Sequence, residues 1–185
     1  MDSCLPLSHC YYHLKKDIEL NCLKYNCKDV EFRSKHEQSI YMLCYIVTEF
    51  FKSDILVATD SWFGNNGMWK PLHKELGDGV HLISRLRSNN NLFDEPSVPT
   101  IKRRGRPRKH CHKLGTASTL AYRQRILQQE NSVNLYGKER TLKAYDKVIM
   151  LKSLKCQIRV VWVYRKTQWV AFFFCRPDSI GRRDC

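Results

Sequence analysis

The stretch 55-ILVATDSWFGNNG-67 decides how this chain is read. Ile55, Val57 and Thr59 are β-branched and Leu56 and Ala58 are apolar, which predicts a short strand with two apolar faces, as in a strand buried in a parallel sheet. The strand runs without a break into a carboxylate, Asp60, then into Trp62, Phe63 and a glycine-asparagine loop. Asn65-Asn66-Gly67 predicts a turn, and Met68 to Leu76, with Pro71 in its first turn, a short amphipathic helix stopped by Gly77 and Gly79. Val80 to Arg87 reads as a second strand. Strand, helix and strand in this span form a βαβ unit, whose strands are parallel with a right-handed crossover. Asp60 then lies at a carboxyl end of the sheet, where open α/β sheets collect ligands. A carboxylate there is costly unless a cation or hydrogen-bond donors satisfy it. Two readings stand side by side: a metal ligand, or an aspartate that caps the turn after it.

Upstream, Ser34 and Glu37 have capping-box spacing, and Ile40, Leu43, Cys44, Val47, Phe50 and Phe51 recur at helical intervals, which predicts a helix over about 34–52. Residues 1–32 show no sustained period. Downstream, 116–129 predicts a polar helix, and after Gly137 the pattern turns to strands over 140–151, 157–164 and 168–174. IRVVWVY and WVAFFF, on either side of Arg165-Lys166-Thr167, form the clearest hairpin signal, and their aromatics read as core.

The chain of 185 residues is 43% apolar and 11% aromatic, enough for one folded domain, and its formal net charge of +14 points to a polyanionic partner. Its nine cysteines include no pair at the spacing of a zinc knuckle or redox motif, so the thiols read as reduced packing residues. His110-Cys111-His112 is ligand-like in type, but three neighbours in one tripeptide reach a tetrahedral ion poorly. No apolar run approaches the roughly 18 residues of a membrane span. A cytoplasmic, nucleoid-associated protein with no membrane partner is expected.

The positive charge is concentrated. In 102-KRRGRPRKHCHK-113, Lys102, Arg103, Arg104, Arg106, Arg108 and Lys109 are interrupted by Gly105 and Pro107, which disfavour a regular helix. Arg104-Gly105-Arg106-Pro107 resembles the AT-hook, an extended peptide of the minor groove: glycine lets the backbone approach the groove floor, and the guanidiniums enter its negative potential. Residues 102 to 109 are therefore the candidate DNA-binding set, with a solvated basic loop as the alternative.

The order of T-D-S-W-F-G-N, H-L-I-S-R-L-R, N-N-N-L-F, R-R-G-R-P-R-K and the β-rich Y-G-K-E-R segment resembles the catalytic region of insertion-sequence transposases of the Asp-Asp-Glu type, over about 5–173. The resemblance implies an RNase H-like α/β fold, here partial and carrying a β-rich insertion. It also implies three carboxylates that bind two divalent ions, Mg2+ or Mn2+, for in-line attack on DNA phosphodiesters. Asp60 matches the second of these carboxylates, which makes it the catalytic and metal-binding candidate. Double-stranded DNA and a transposase oligomer are the implied partners.

The departures are equally specific. In the family the first aspartate lies on a strand upstream of the segment matched here, and the glutamate lies on a helix beyond the β-rich insertion. Glu130, Glu139 and Asp146 do not carry that glutamate's motif. FCRPDSIGRRDC, 174–185, loses all pattern after a strong strand; read one base later, permitted codons for it can encode S-A-D-L-T-L-S-V-D-E-I, which resembles the family at this point. A frameshifted, truncated copy is expected, organised as a partial RNase H-like core (1–100), an AT-hook-like loop and helix (101–136), a β-rich insertion (137–175) and an aberrant tail (176–185). Such a chain should cleave DNA little or not at all alone and hold metal weakly. A different class of function is a basic DNA-binding accessory or repressor protein acting through residues 102–113.

Overall fold

The βαβ unit forms as its sequence dictates. In the structure, a computed structural model that describes residues 8–21, 24–25, 28–95, 112–165 and 167–175, the elements before this unit are α1 (Lys15–Asn21), the two-residue strands β1 (Lys24–Tyr25) and β2 (Lys28–Asp29), and α2 (Lys35–Phe50). Then β3 (Ile55–Thr59), α3 (Asn66–Leu76) and β4 (Val80–Leu86) follow, and β3 pairs with β4 in parallel from Ile55↔Val80 to Thr59↔Ser84. The rest is β5 (Asn91–Phe93), β6 (Lys113–Thr116), α4 (Ala117–Arg123), β7 (Gln129–Leu135), β8 (Lys138–Leu151), β9 (Cys156–Arg165) and β10 (Gln168–Cys175).

These strands make one mixed sheet in the order β3-β4-β10-β9-β8-β5-β6, with β7 paired to β8. The fold is a mixed α/β arrangement consistent with the RNase H-like class. The predicted β9–β10 hairpin is present, and β10 also runs antiparallel to β4, from Ala171↔Leu86 to Cys175↔Leu82. The late β-rich segment thus continues the sheet that the βαβ unit begins. Along β4, Val80, Leu82, Ser84 and Leu86 alternate into the core, where α3 contributes Met68, Trp69 and Leu72 and α4 contributes Ala117, Leu120 and Ala121. Trp162, at the centre of β9, donates from Nε1 to the Ala117 carbonyl at 2.9 Å and stacks on Tyr145 at 4.9 Å, which joins sheet and α4.

The N-terminus of α2 carries the predicted capping box. Glu37 N donates to Ser34 Oγ at 3.3 Å and Ser34 N to Glu37 Oε2 at 2.7 Å, and these bonds hold Glu37 below the usual carboxylate range. Yet α2 has no buried residue, and Ile40, Leu43 and Cys44 only lean on the core.

Several expectations are corrected. Strand β3 does not have two covered faces: Val57 is buried on the helix side, whereas Leu56, 59% exposed, and Ala58 lie on the other face, which no described element covers, and β3 also ends the sheet order. Helix α3 begins at Asn66 rather than Met68, because Asn65 supplies the cap, and this places Pro71 in the helix interior. The helix predicted over 116–129 is only Ala117–Arg123; Gln129–Leu135 instead pairs with β8 around Tyr136 and Gly137, whose φ values of 54° and 74° give the backbone of a tight hairpin turn. The polar stretch after Arg87 contains β5, which pairs with β6 and β8, so the strands flanking the basic segment are neighbours.

A candidate carboxylate site at the end of β3

Asp60 follows the last residue of β3, at the carboxyl end of the parallel pair, and is exposed. Its Oδ1 accepts from the backbone N–H groups of Trp62 at 2.9 Å and Phe63 at 3.2 Å, the geometry of an Asx turn. The turn-capping role weighed from sequence is therefore present. It occupies one carboxylate oxygen, and no hydrogen bond to Oδ2 is formed among the described residues.

The turn is held on the sheet by contacts that the sequence signalled only faintly. Ser84, the one polar side chain in the core of β4 at 1% exposure, donates from Oγ to the Asp60 carbonyl at 2.6 Å. Gly64 N donates to the same carbonyl at 3.2 Å. A Cβ on Gly64 would fall on the Ser84 side chain and crowd the Phe173 ring, so glycine here is a packing requirement. Ser84 was legible only as a hydroxyl on the apolar face of V-H-L-I-S-R-L.

On the other side, Asn65 ties the turn to α2 and α3. Its Oδ1 accepts from Gly67 N at 2.7 Å, and its amide nitrogen donates to the Trp62 carbonyl at 2.7 Å and lies 2.9 Å from His36 Nε2. With the amide nitrogen as donor, Nε2 of His36 is an acceptor and the ring proton sits on Nδ1. The His36 ring lies over Trp62 at 4.6 Å and near Phe63 at 5.4 Å, and Lys35 Nζ is 5.8 Å from the Trp62 ring centre. An apolar cleft of about 430 Å³, lined by Leu43, Ile46, Val57 and Met68 among others, opens beside Asp60 between α2 and β3.

A divalent ion needs several oxygen ligands, and a two-ion centre needs several carboxylates. Among the described residues no group of three or more Asp, Glu, His or Cys side chains could hold a metal ion. The described residues thus supply one carboxylate and do not by themselves fit a two-ion centre. Residues 102–109 and the 176–185 tail lie outside the described residues, as do His110 and Cys111. No helix among the described residues is long and apolar enough to cross a membrane.

No curated protein and no solved structure matches the chain. Residues 4–141, more than half of the chain, match the family described as DDE superfamily endonuclease, a transposase-like class whose members generally use divalent metals and act on DNA. The chain, with its α/β sheet and the T-D-S-W-F-G-N turn at the end of β3, belongs to the DDE superfamily endonuclease family.

Proposed function

We propose that this chain is part of the catalytic domain of a DNA transposase, in which Asp60 serves as one carboxylate ligand of a Mg2+ or Mn2+ centre. The observation that carries the reading is the position of Asp60 at the carboxyl end of β3, inside the span 4–141 that matches the endonuclease family. A metal there would polarise a scissile phosphate and the attacking oxygen. The chain's own part is to hold Asp60 on a turn fixed by Ser84, Gly64 and Asn65, with Oδ2 available to an ion.

In the same reading the segment 102–109 grips double-stranded DNA in the manner of an AT-hook, and the transposase works as an oligomer. The basic segment and the β-rich segment over 137–175 are the proposed functional regions, the latter joined to the βαβ unit through the pairing of β10 with β4. The described residues bring one carboxylate of a triad to this turn, so the chain by itself is expected to leave DNA uncut. The test is incubation of the purified chain with supercoiled plasmid and Mg2+ or Mn2+. No nicking beyond that of Asp60→Ala is expected. Nicking that disappears in Asp60→Ala would show a complete centre and overturn the proposed incompleteness.

A further inference from the structure

The cysteines include no pair at motif spacing in the sequence, yet the fold brings two of them together. Cys156 is the first residue of β9 and Cys175 the last of β10, so both lie at the open end of the antiparallel hairpin, away from its turn. Their side chains are in the core, at 4% and 0% exposure, and the two thiol sulfurs are 3.4 Å apart. A disulfide bond is about 2.05 Å long, so the sulfurs need to close by roughly 1.4 Å to form one.

Two observations bear on whether they can react. The hydrogen bond from the Cys175 thiol pulls the Cys156 thiol below its ordinary range, against burial, which pushes it up. The thiolate is the nucleophilic form of cysteine, so Cys156 is the attacking member of the pair. Both residues also sit at strand ends, which open locally at lower cost than the middle of a sheet. Cys156 directly follows a tight turn in which Leu154 N and Lys155 N both donate to the Leu151 carbonyl, at 3.2 and 2.9 Å. Opening there admits a small oxidant to a pair that is otherwise shielded.

We propose that Cys156 and Cys175 are a peroxide-responsive pair that forms a reversible disulfide across the open end of the β9–β10 hairpin. The Cys156 thiolate attacks one peroxide oxygen: an S–O bond forms, the O–O bond breaks, and the departing hydroxide takes up a proton to become water. Cys175 Sγ then attacks the sulfur of the Cys156 sulfenic acid. The S–S bond forms, the S–O bond breaks, and a second water leaves with the Cys175 proton. Two electrons pass from the two thiols to the peroxide, and a dithiol reductant returns them. Because Cys175 also pairs with Leu82 of β4, the bond fixes the hairpin where it joins the βαβ unit. As a cross-link it also restricts the unfolded chain. The inference is independent of the role of Asp60.

The experiment treats the full chain with hydrogen peroxide under native conditions, blocks the remaining thiols by alkylation, digests without reductant and maps the peptides by mass. A disulfide joining the Cys156 and Cys175 peptides is expected, together with a urea midpoint that rises on oxidation and falls back with dithiothreitol. In Cys175→Ala the sulfenic acid of Cys156 should persist and be captured by dimedone, whereas Cys156→Ala should leave Cys175 unlabelled. Recovery of both residues in alkylated form after the exposed Cys10 has been oxidised would overturn the proposal and leave two packing residues. Pairing of either residue mainly with another cysteine would overturn it equally. Both of these outcomes are read on the wild-type chain, so they count whether or not the variants fold.

Discussion

The two ends of the sheet are built to different standards. At the centre and far side, Val160, Trp162, Phe173 and Cys175 on β9 and β10 are at most 1% exposed, and α4 adds Ala117, Leu120 and Ala121 to the same core. At the β3 end, α2 buries none of its residues, Tyr41, Tyr45 and Phe50 are 62%, 57% and 71% exposed, and Leu56 lies on an open face of a strand whose outer edge no other described strand pairs. The candidate chemistry sits at the poorly covered end. A strand edge that no other described strand pairs, next to a partly open apolar helix face, invites association. Stability resides in the hairpin and α4, while the Asp60 turn depends on a few hydrogen bonds.

The largest effect that would break this comparison is a core truncation. Trp162→Ala removes a fully buried indole with its bond to Ala117 and should cost about 3–5 kcal/mol in urea unfolding. Tyr45→Ala on α2 should cost less than about 0.5 kcal/mol by the same measurement, since this ring is mostly in water. Equal losses would show that α2 is packed as tightly as the hairpin.

Next comes the turn itself. Gly64→Ala places a methyl on Ser84 and should destabilise by about 1–3 kcal/mol, with amide shift changes centred on 59–65. A silent Gly64→Ala would mean that the turn is not seated on β4 as described.

A smaller effect than that of the turn is expected at the start of α2. Ser34→Ala should cost about 1 kcal/mol through the lost cap. Because hydrogen bonding to Ser34 lowers the Glu37 pKa in the folded chain, the stability that Glu37 adds is present above its unfolded pKa, and it is lost as pH falls through the lowered folded value. The difference in stability between wild type and Glu37→Ala should therefore shrink on acidification from neutral pH. A difference that grows with acid would contradict the capping box.

What the sequence made legible follows from local physics. The Ser34–Glu37 box, the β-branched run 55–59 and the Tyr136-Gly137 region sit where neighbours in sequence are neighbours in space, although only the first two were read correctly. Strand β7 was missed because 129-QENSVNL-135 is polar and exposed along most of its length; its conformation comes from pairing with β8. Strand β5 escaped for a related reason: three residues carry no period, and they are fixed by β6 and β8 across a long connection. For the site, Asp60 and its place at a strand end were readable. Ser84 and the Asn65–His36 link were not, since they depend on long-range contacts. The edge position of β3 also escaped, because an apolar strand reads the same whether or not a partner covers it.

The account turns on whether Asp60 is a metal ligand or only the cap of its turn, and one substitution separates the two. Asparagine keeps a side-chain oxygen to accept from Trp62 and Phe63 but removes the charge an ion requires. The most direct measurement is therefore a titration of the isotope-labelled chain with Mn2+, following paramagnetic broadening of its amide signals, beside the same titration of Asp60→Asn. The account predicts broadening centred on residues 59–64 at weak, millimolar affinity, and its loss in Asp60→Asn while that variant keeps wild-type stability. Broadening that is absent from this turn, or that persists unchanged in Asp60→Asn, would contradict it and leave Asp60 as a cap.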